Sequence, residues 1–278
     1  MLRSANSGTN GASGMLTFSS GTTTSGNSGA VMVGSGNAVG GKGGLLSVTV
    51  GSGNVGVGGA VVVTAGLTSD TVGGSVTIDS GLGATIGGDM MLAGGVGTAN
   101  TGGSYTLDSG EGTATTSGSI KIRSTNAGTN GASGMLVFSS GSASKGNSGL
   151  VMIGSGAATT GRGGSVAISV GSGNSGVGGY MSVLAGRSTS HTGGSLSAFS
   201  GEGTATTSGY VMLRSANSGT NGASGMLTFS SGTTTSGNTG AVMVGSGNAV
   251  GGKGGLLSVT VGSGNVGVGG AVVVTAGL

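Results

Sequence analysis

AVMVGSGNAVGGKGG at residues 30–44 runs directly into LLSVTVGSGNVGVGG at residues 45–59, and the two align position for position over 15 residues. SYTLDSGEGTATTSG at 104–118 and SVAISVGSGNSGVGG at 165–179 have the same length and plan. A few copies depart by one residue: SVTIDSGLGATIGG at 75–88 has 14, and SIKIRSTNAGTNGASG at 119–134 has 16. A short fixed period of this kind marks a stacked repeat architecture, in which one repeat cannot bury its apolar face alone.

Each repeat is numbered from the residue that follows a Gly-Gly or Ser-Gly pair. Positions two and four are then apolar almost throughout: Leu16 and Phe18, Val31 and Val33, Leu46 and Val48, Val76 and Ile78, Ile120 and Ile122, Leu136 and Phe138, Val166 and Ile168. Alternation with a period of two is the pattern of a strand with one buried face. Position six is small in nearly every copy (Ser20, Ser35, Ala65, Ser80, Ser124, Ser200), and position seven is usually Gly, where the chain must turn. The remainder, such as NAVGGKGG or EGTATTSG, offers only small side chains for a return arm.

These features predict an all-β fold: a parallel β-solenoid with about 15 residues per coil, continuous through residues 1–278. It is expected to be a thin, flattened coil with one wall of aliphatic side chains and one of small ones. Parallel ladders between coils at ~4.8 Å would give a rod of about 18 coils, roughly 85–90 Å long. Positions two and four are expected inward. Positions one and three, with Met15, Leu45, Val62, Met135, Leu150, Tyr180 and Tyr210, are expected outward and against a neighbouring rod, because they expose more apolar surface than a solitary rod should.

A longer period overlies the short one. Residues 1–67 recur as 212–278 with one difference, Ser28 against Thr239, which defines a 211-residue super-repeat (1–211, then a partial copy 212–278). A weaker copy lies 120 residues along, where TNGASGMLTFSSG at 9–21 becomes TNGASGMLVFSSG at 129–141. Neither end carries a divergent polar cap, so the segment is expected to belong to a longer uncapped array that continues end to end.

Composition narrows the class. Of 278 residues 72 are Gly and none is Pro, Cys or Trp, which argues against an ordinary globular core. Collagen requires Gly at every third residue together with Pro, and simple disorder fits poorly with a mean hydropathy of +0.31. Charged residues make up 5% of the chain and the net charge is +3, with Lys and Arg scattered and only Lys121 and Arg123 close together. A nucleic-acid groove needs clustered basic residues and aromatic platforms, so no nucleic-acid partner is expected. The longest apolar runs, such as Ala60 to Val63, are far too short for a membrane span.

The chemical motifs dissolve on inspection. Gly51, Gly53 and Gly56 satisfy GxGxxG, as do Gly171, Gly173 and Gly176 and also Gly262, Gly264 and Gly267, but Gly is a quarter of the chain and no amphipathic helix follows. Gly36 to Lys42 reads GxxxxGK, yet Gly43 replaces the hydroxyl residue of a P-loop. His191 is the sole histidine, and Thr71 stands in its place 120 residues earlier, so no triad or metal cluster forms around it. The carboxylates Asp70, Asp79, Asp89, Asp108, Glu111 and Glu202 are expected to be solvated, and no Asp recurs after the Gly-Gly pairs as a calcium roll demands. Met32, Met152, Met212 and Met243 at position three read as outward packing residues rather than ligands. No catalytic, cofactor-binding or metal-binding residue is expected, and no enzyme.

The stretches SVTIDSG, SVAISVGSGNSGVGG and GGSYTLDSGEGTATTSG resemble the Gly/Ser/Thr-rich tandem repeats of large secreted scaffold and fibre proteins of heterokont algae, and more loosely the repeats of bacterial surface adhesins. The resemblance covers the whole chain and carries no functional residues with it. It implies an extracellular or cell-surface structural role, with the secretion signal outside this segment, either as a fibre or as the stalk of an adhesin. O-linked glycans on the abundant Ser and Thr fit such a role. The short period is also similar to that of ice-binding solenoids. Position three, however, runs Thr17, Met32, Ser47, Val62, Thr77, Met91, Thr106, Lys121, too mixed for a ladder of one residue type.

Overall fold

The structure, a computed structural model, describes residues 2–9, 11–267 and 269–277. The chain divides into two units, Met1–Val137 and Phe138–Leu278. Each is a succession of the 15-residue repeats, and each repeat closes on itself by the same few contacts.

The last glycine of the repeat returns to positions six and seven. Within Met1–Val137, the N–H of Gly74 donates to the carbonyl of Gly66 at 2.9 Å, that of Gly103 to Gly95 at 2.8 Å and that of Gly118 to Gly110 at 2.9 Å. The 14-residue repeat keeps the contact with its own last residue, Gly88 to Gly81 at 2.9 Å. Within Phe138–Leu278, Gly194 donates to Gly186 at 2.8 Å and Gly209 to Gly201 at 2.9 Å. All six bonds tie the end of a repeat to its position seven.

Other repeats close through the side chain at position six. The Ser35 hydroxyl donates to the Gly44 carbonyl at 2.9 Å, and the Ser155 hydroxyl to the Gly164 carbonyl at 2.7 Å. Where position six is Val, its methyl lies against the last glycine. A Cβ at Gly59, Gly179 or Gly270 would sit 2.6, 2.7 or 2.5 Å from Cγ1 of Val50, Val170 or Val261. Only Gly allows the two arms so close. Between the arms the loop turns through glycines at positive φ, such as Gly40 (76°) and Gly56 (78°).

The expected parallel β-solenoid is not what the chain forms. The described residues contain no α-helix and no β-strand, so neither the β-helix nor its stacked ladders exist in them. Their backbone–backbone hydrogen bonds all join residues of one repeat, at most eight apart. The physical reason lies in the balance of local and non-local terms. Closing one repeat fixes a short loop, whose entropic cost is small. Locking one repeat onto the next must order a whole Gly-rich turn, and Gly loses the most freedom on ordering. Two aliphatic side chains per repeat contribute too little burial to offset that.

The alternation along the repeat nevertheless survives as a difference in exposure. Leu16 and Ile120 at position two are each 48% exposed, against 90% for Met15 at position one and 92% for Met32 at position three. The sides are therefore as expected, but the inner one is not closed: among the described residues no side chain, apolar or polar, is buried. The described residues that are at least partly covered are Ser4, Ser20, Ala65, Ser140 and Ser215 at position six and Gly83, Gly112 and Gly203 at position nine. The tightest place in the repeat is thus its backbone pinch, not a core.

The accessible surface, 27468 Å² for a 25.2 kDa chain, measures the consequence. A compact monomer of this mass exposes about 10,000 Å² and a fully unfolded chain about 36,500 Å². Repeat closure alone removes only about a quarter of the unfolded surface from water.

Candidate functional site

The residues that sequence motifs single out do not converge. His191 lies in the return loop of the repeat that begins at Tyr180, where its N–H donates to the Ser188 hydroxyl oxygen at 2.9 Å and the Ser190 N–H reaches the same oxygen at 3.4 Å. Asp70 occupies the matching loop of the repeat that begins at Ala60, its N–H donating to Thr68 Oγ1 at 3.2 Å. Both bonds use the main chain of the titratable residue, leaving imidazole and carboxylate in solvent. Asp79, Asp89, Asp108, Glu111 and Glu202 are all exposed. Among the described residues no three His, Cys, Asp or Glu side chains group so as to hold a metal ion.

The glycine patterns have a local explanation. Gly56, Gly176 and Gly267, the third glycines of the three GxGxxG matches, have φ of 78°, 79° and 83° and turn the return arm. No helix follows them among the described residues, so no helix N-terminus is offered to a phosphate. Among the described residues there is likewise no helix long and apolar enough to cross a membrane.

What the repeats do present is an array of large apolar side chains in solvent. Positions one and three contribute Met15, Met32, Leu45, Val62 and Met91 in Met1–Val137, and Leu150, Met152, Tyr180, Met226 and Met243 in Phe138–Leu278, all among the most exposed side chains of their units. No family model, curated protein or solved structure matches the chain. The surface must therefore be interpreted from its own chemistry. It lacks the concave, water-excluding arrangement of polar groups that catalysis or small-molecule recognition requires. Its distinguishing property is exposed apolar area repeated at a fixed interval, well beyond the scattered hydrophobic residues of an ordinary soluble surface.

Two features of the repeat went unread in the sequence. Position nine is a switch point for the return loop: Thr23, Thr68, Ser188 and Thr234 each accept the N–H of position eleven in a local turn, at 3.2 to 3.4 Å. In other repeats Gly83, Gly97, Gly112 and Gly203 stand there, so close to the carbonyls of the returning arm that a Cβ would collide with them. Aligning the repeats on position nine would have revealed the choice between hydroxyl and Gly. The pairing of position six with the last glycine was equally visible as a constant small residue opposite a constant Gly, but the strand reading assigned position six to a wall instead.

Proposed function

We propose that this chain is a structural protein rather than an enzyme: one stretch of a long extracellular or cell-surface fibre, working by self-association. The observation that carries the reading is the combination of a strict repeat with an accessible surface of 27468 Å², far above the roughly 10,000 Å² of a compact monomer of this size. A chain that leaves its apolar side chains in water at every repeat gains by covering them, and the partner with a matching interval is another copy. Because the interval recurs along the chain, contacts can propagate rather than close, and such contacts yield filaments of indefinite length. The low charge fits the same role. With 5% charged residues, little electrostatic repulsion opposes side-by-side packing.

O-linked glycans on the Ser- and Thr-rich return arms belong to this proposal as the polar outer coat of the fibre. The fibre needs no parallel ladders within one chain; it needs only that repeats of different copies cover each other. Electron microscopy of the purified chain tests the reading. Long uniform filaments without a fixed length support it, whereas dispersed single chains, or short rods of fixed length, would refute it.

A further inference from the structure

The methionines of this chain are placed with a regularity that the fibre role alone does not require. Met15, Met135 and Met226 occupy position one of three equivalent repeats, and Met32, Met152 and Met243 occupy position three of the repeat that follows each, always 17 residues further on. All six are between 82 and 92% exposed, whereas Met90 and Met181, at position two, are 49 and 53% exposed. The chain has no Cys, so thioethers are its whole stock of oxidisable sulfur. Thioether oxidation follows exposure, and it turns a flexible apolar side chain into a polar one.

We propose that these six methionines are a modification site for peroxides, and that their oxidation switches off self-association. This inference rests on the self-association reading above. In the reaction the thioether sulfur attacks the distal peroxide oxygen and the O–O bond breaks. Sulfur gains one S=O bond and loses two electrons, and the departing oxygen takes up the remaining proton to leave as water. A thiol reductant reverses the step through a sulfoxide reductase, releasing water and a disulfide. Each sulfoxide places a strong dipole on the row that a second copy has to cover. Burying it without a partner is unfavourable, so assembled material protects the six sulfurs and oxidised chains stay apart.

The test uses the full chain and hydrogen peroxide, with light scattering for association and peptide mass spectrometry for the site of oxidation. In dispersed chains the six methionines oxidise ahead of Met90 and Met181; in associated material they oxidise at least about tenfold more slowly than in dispersed chains. The sulfoxide form needs a concentration about tenfold higher, or more, to associate, because losing the burial of even one thioether is a change of that order. A variant carrying Met→Leu at all six positions associates and ignores peroxide. The inference is overturned if oxidised chains associate at the unmodified concentration, if the six sulfurs react equally fast in both states, or if the Leu variant is still dispersed by peroxide; each result leaves the fibre reading standing. Failure of the unmodified chain to associate at any concentration removes both.

Discussion

Gly59→Ala probes the backbone pinch that holds each repeat. The new Cβ would lie 2.6 Å from Val50 Cγ1, about 1 Å inside ordinary carbon–carbon contact. Val cannot swing aside cheaply, since its β-branch restricts χ1. Overpacking of this kind costs about 1–3 kcal/mol, and the lower chain entropy of Ala in the open state returns about 0.4–1 kcal/mol, leaving a net loss near 0.5–2 kcal/mol. That is enough to open a repeat held by a few local contacts. The neighbouring Gly58 has nothing within 4 Å of its Cβ direction, so Gly58→Ala should be nearly silent. The assay is the nuclear Overhauser contact between the Val50 methyl and the Gly59 α-protons, followed in Gly59→Ala, Gly58→Ala and the double variant Val50→Ala with Gly59→Ala. The contact from residue 50 should vanish in the first, persist in the second and return as an Ala–Ala contact in the third. An unchanged contact in Gly59→Ala, or a loss that Val50→Ala does not repair, would refute the reasoning. The pairs Gly179 with Val170 and Gly270 with Val261 repeat the experiment elsewhere in the chain.

Amide exchange should single out Gly74, Gly103, Gly118 and Gly194, whose N–H groups are bonded within the repeat, as slower than those of Gly43 or Gly163; equal rates would mean that the closures do not form in solution. Ser155→Ala removes a 2.7 Å bond to the Gly164 carbonyl in an exposed setting, so it should weaken that repeat by about 1 kcal/mol or less, read as a shift confined to residues near Gly164. Ser188→Ala deletes the acceptor of two loop N–H groups and should raise the exchange of the Ser190 and His191 amides without changing association. Circular dichroism of dispersed chains should show neither a helical nor a sheet minimum; a strong sheet spectrum at dilution would restore the ladders within one chain.

The repeat length, the outward setting of Met32 and Met152 and the small residue at position six were all legible in the sequence, because each follows from interactions inside one repeat. Periodicity of two separates two sides of a segment, and the structure keeps that separation between Leu16 and Met15. What the same pattern could not decide is whether the N–H and C=O groups of one repeat find those of the next. That depends on a non-local gain set against the ordering of many glycines. Reading Val31 with Val33 as a strand assumed that the ladder forms, and here the local bond from the last residue to position seven is made while the ladder is not. For function, the lack of any converging set around His191 or the carboxylates was readable from their spacing, whereas the hydroxyl turns at Thr68 and Ser188 needed the loop geometry.

The central claim is that the exposed apolar row is covered by further copies of the chain. A concentration series of solution X-ray scattering on the full, unmodified chain tests it most directly. The account predicts scattering mass that rises with concentration without settling on a discrete oligomer. Scattering that remains that of a single chain at the highest attainable concentration, with the position-one and position-three side chains still solvated, would contradict it.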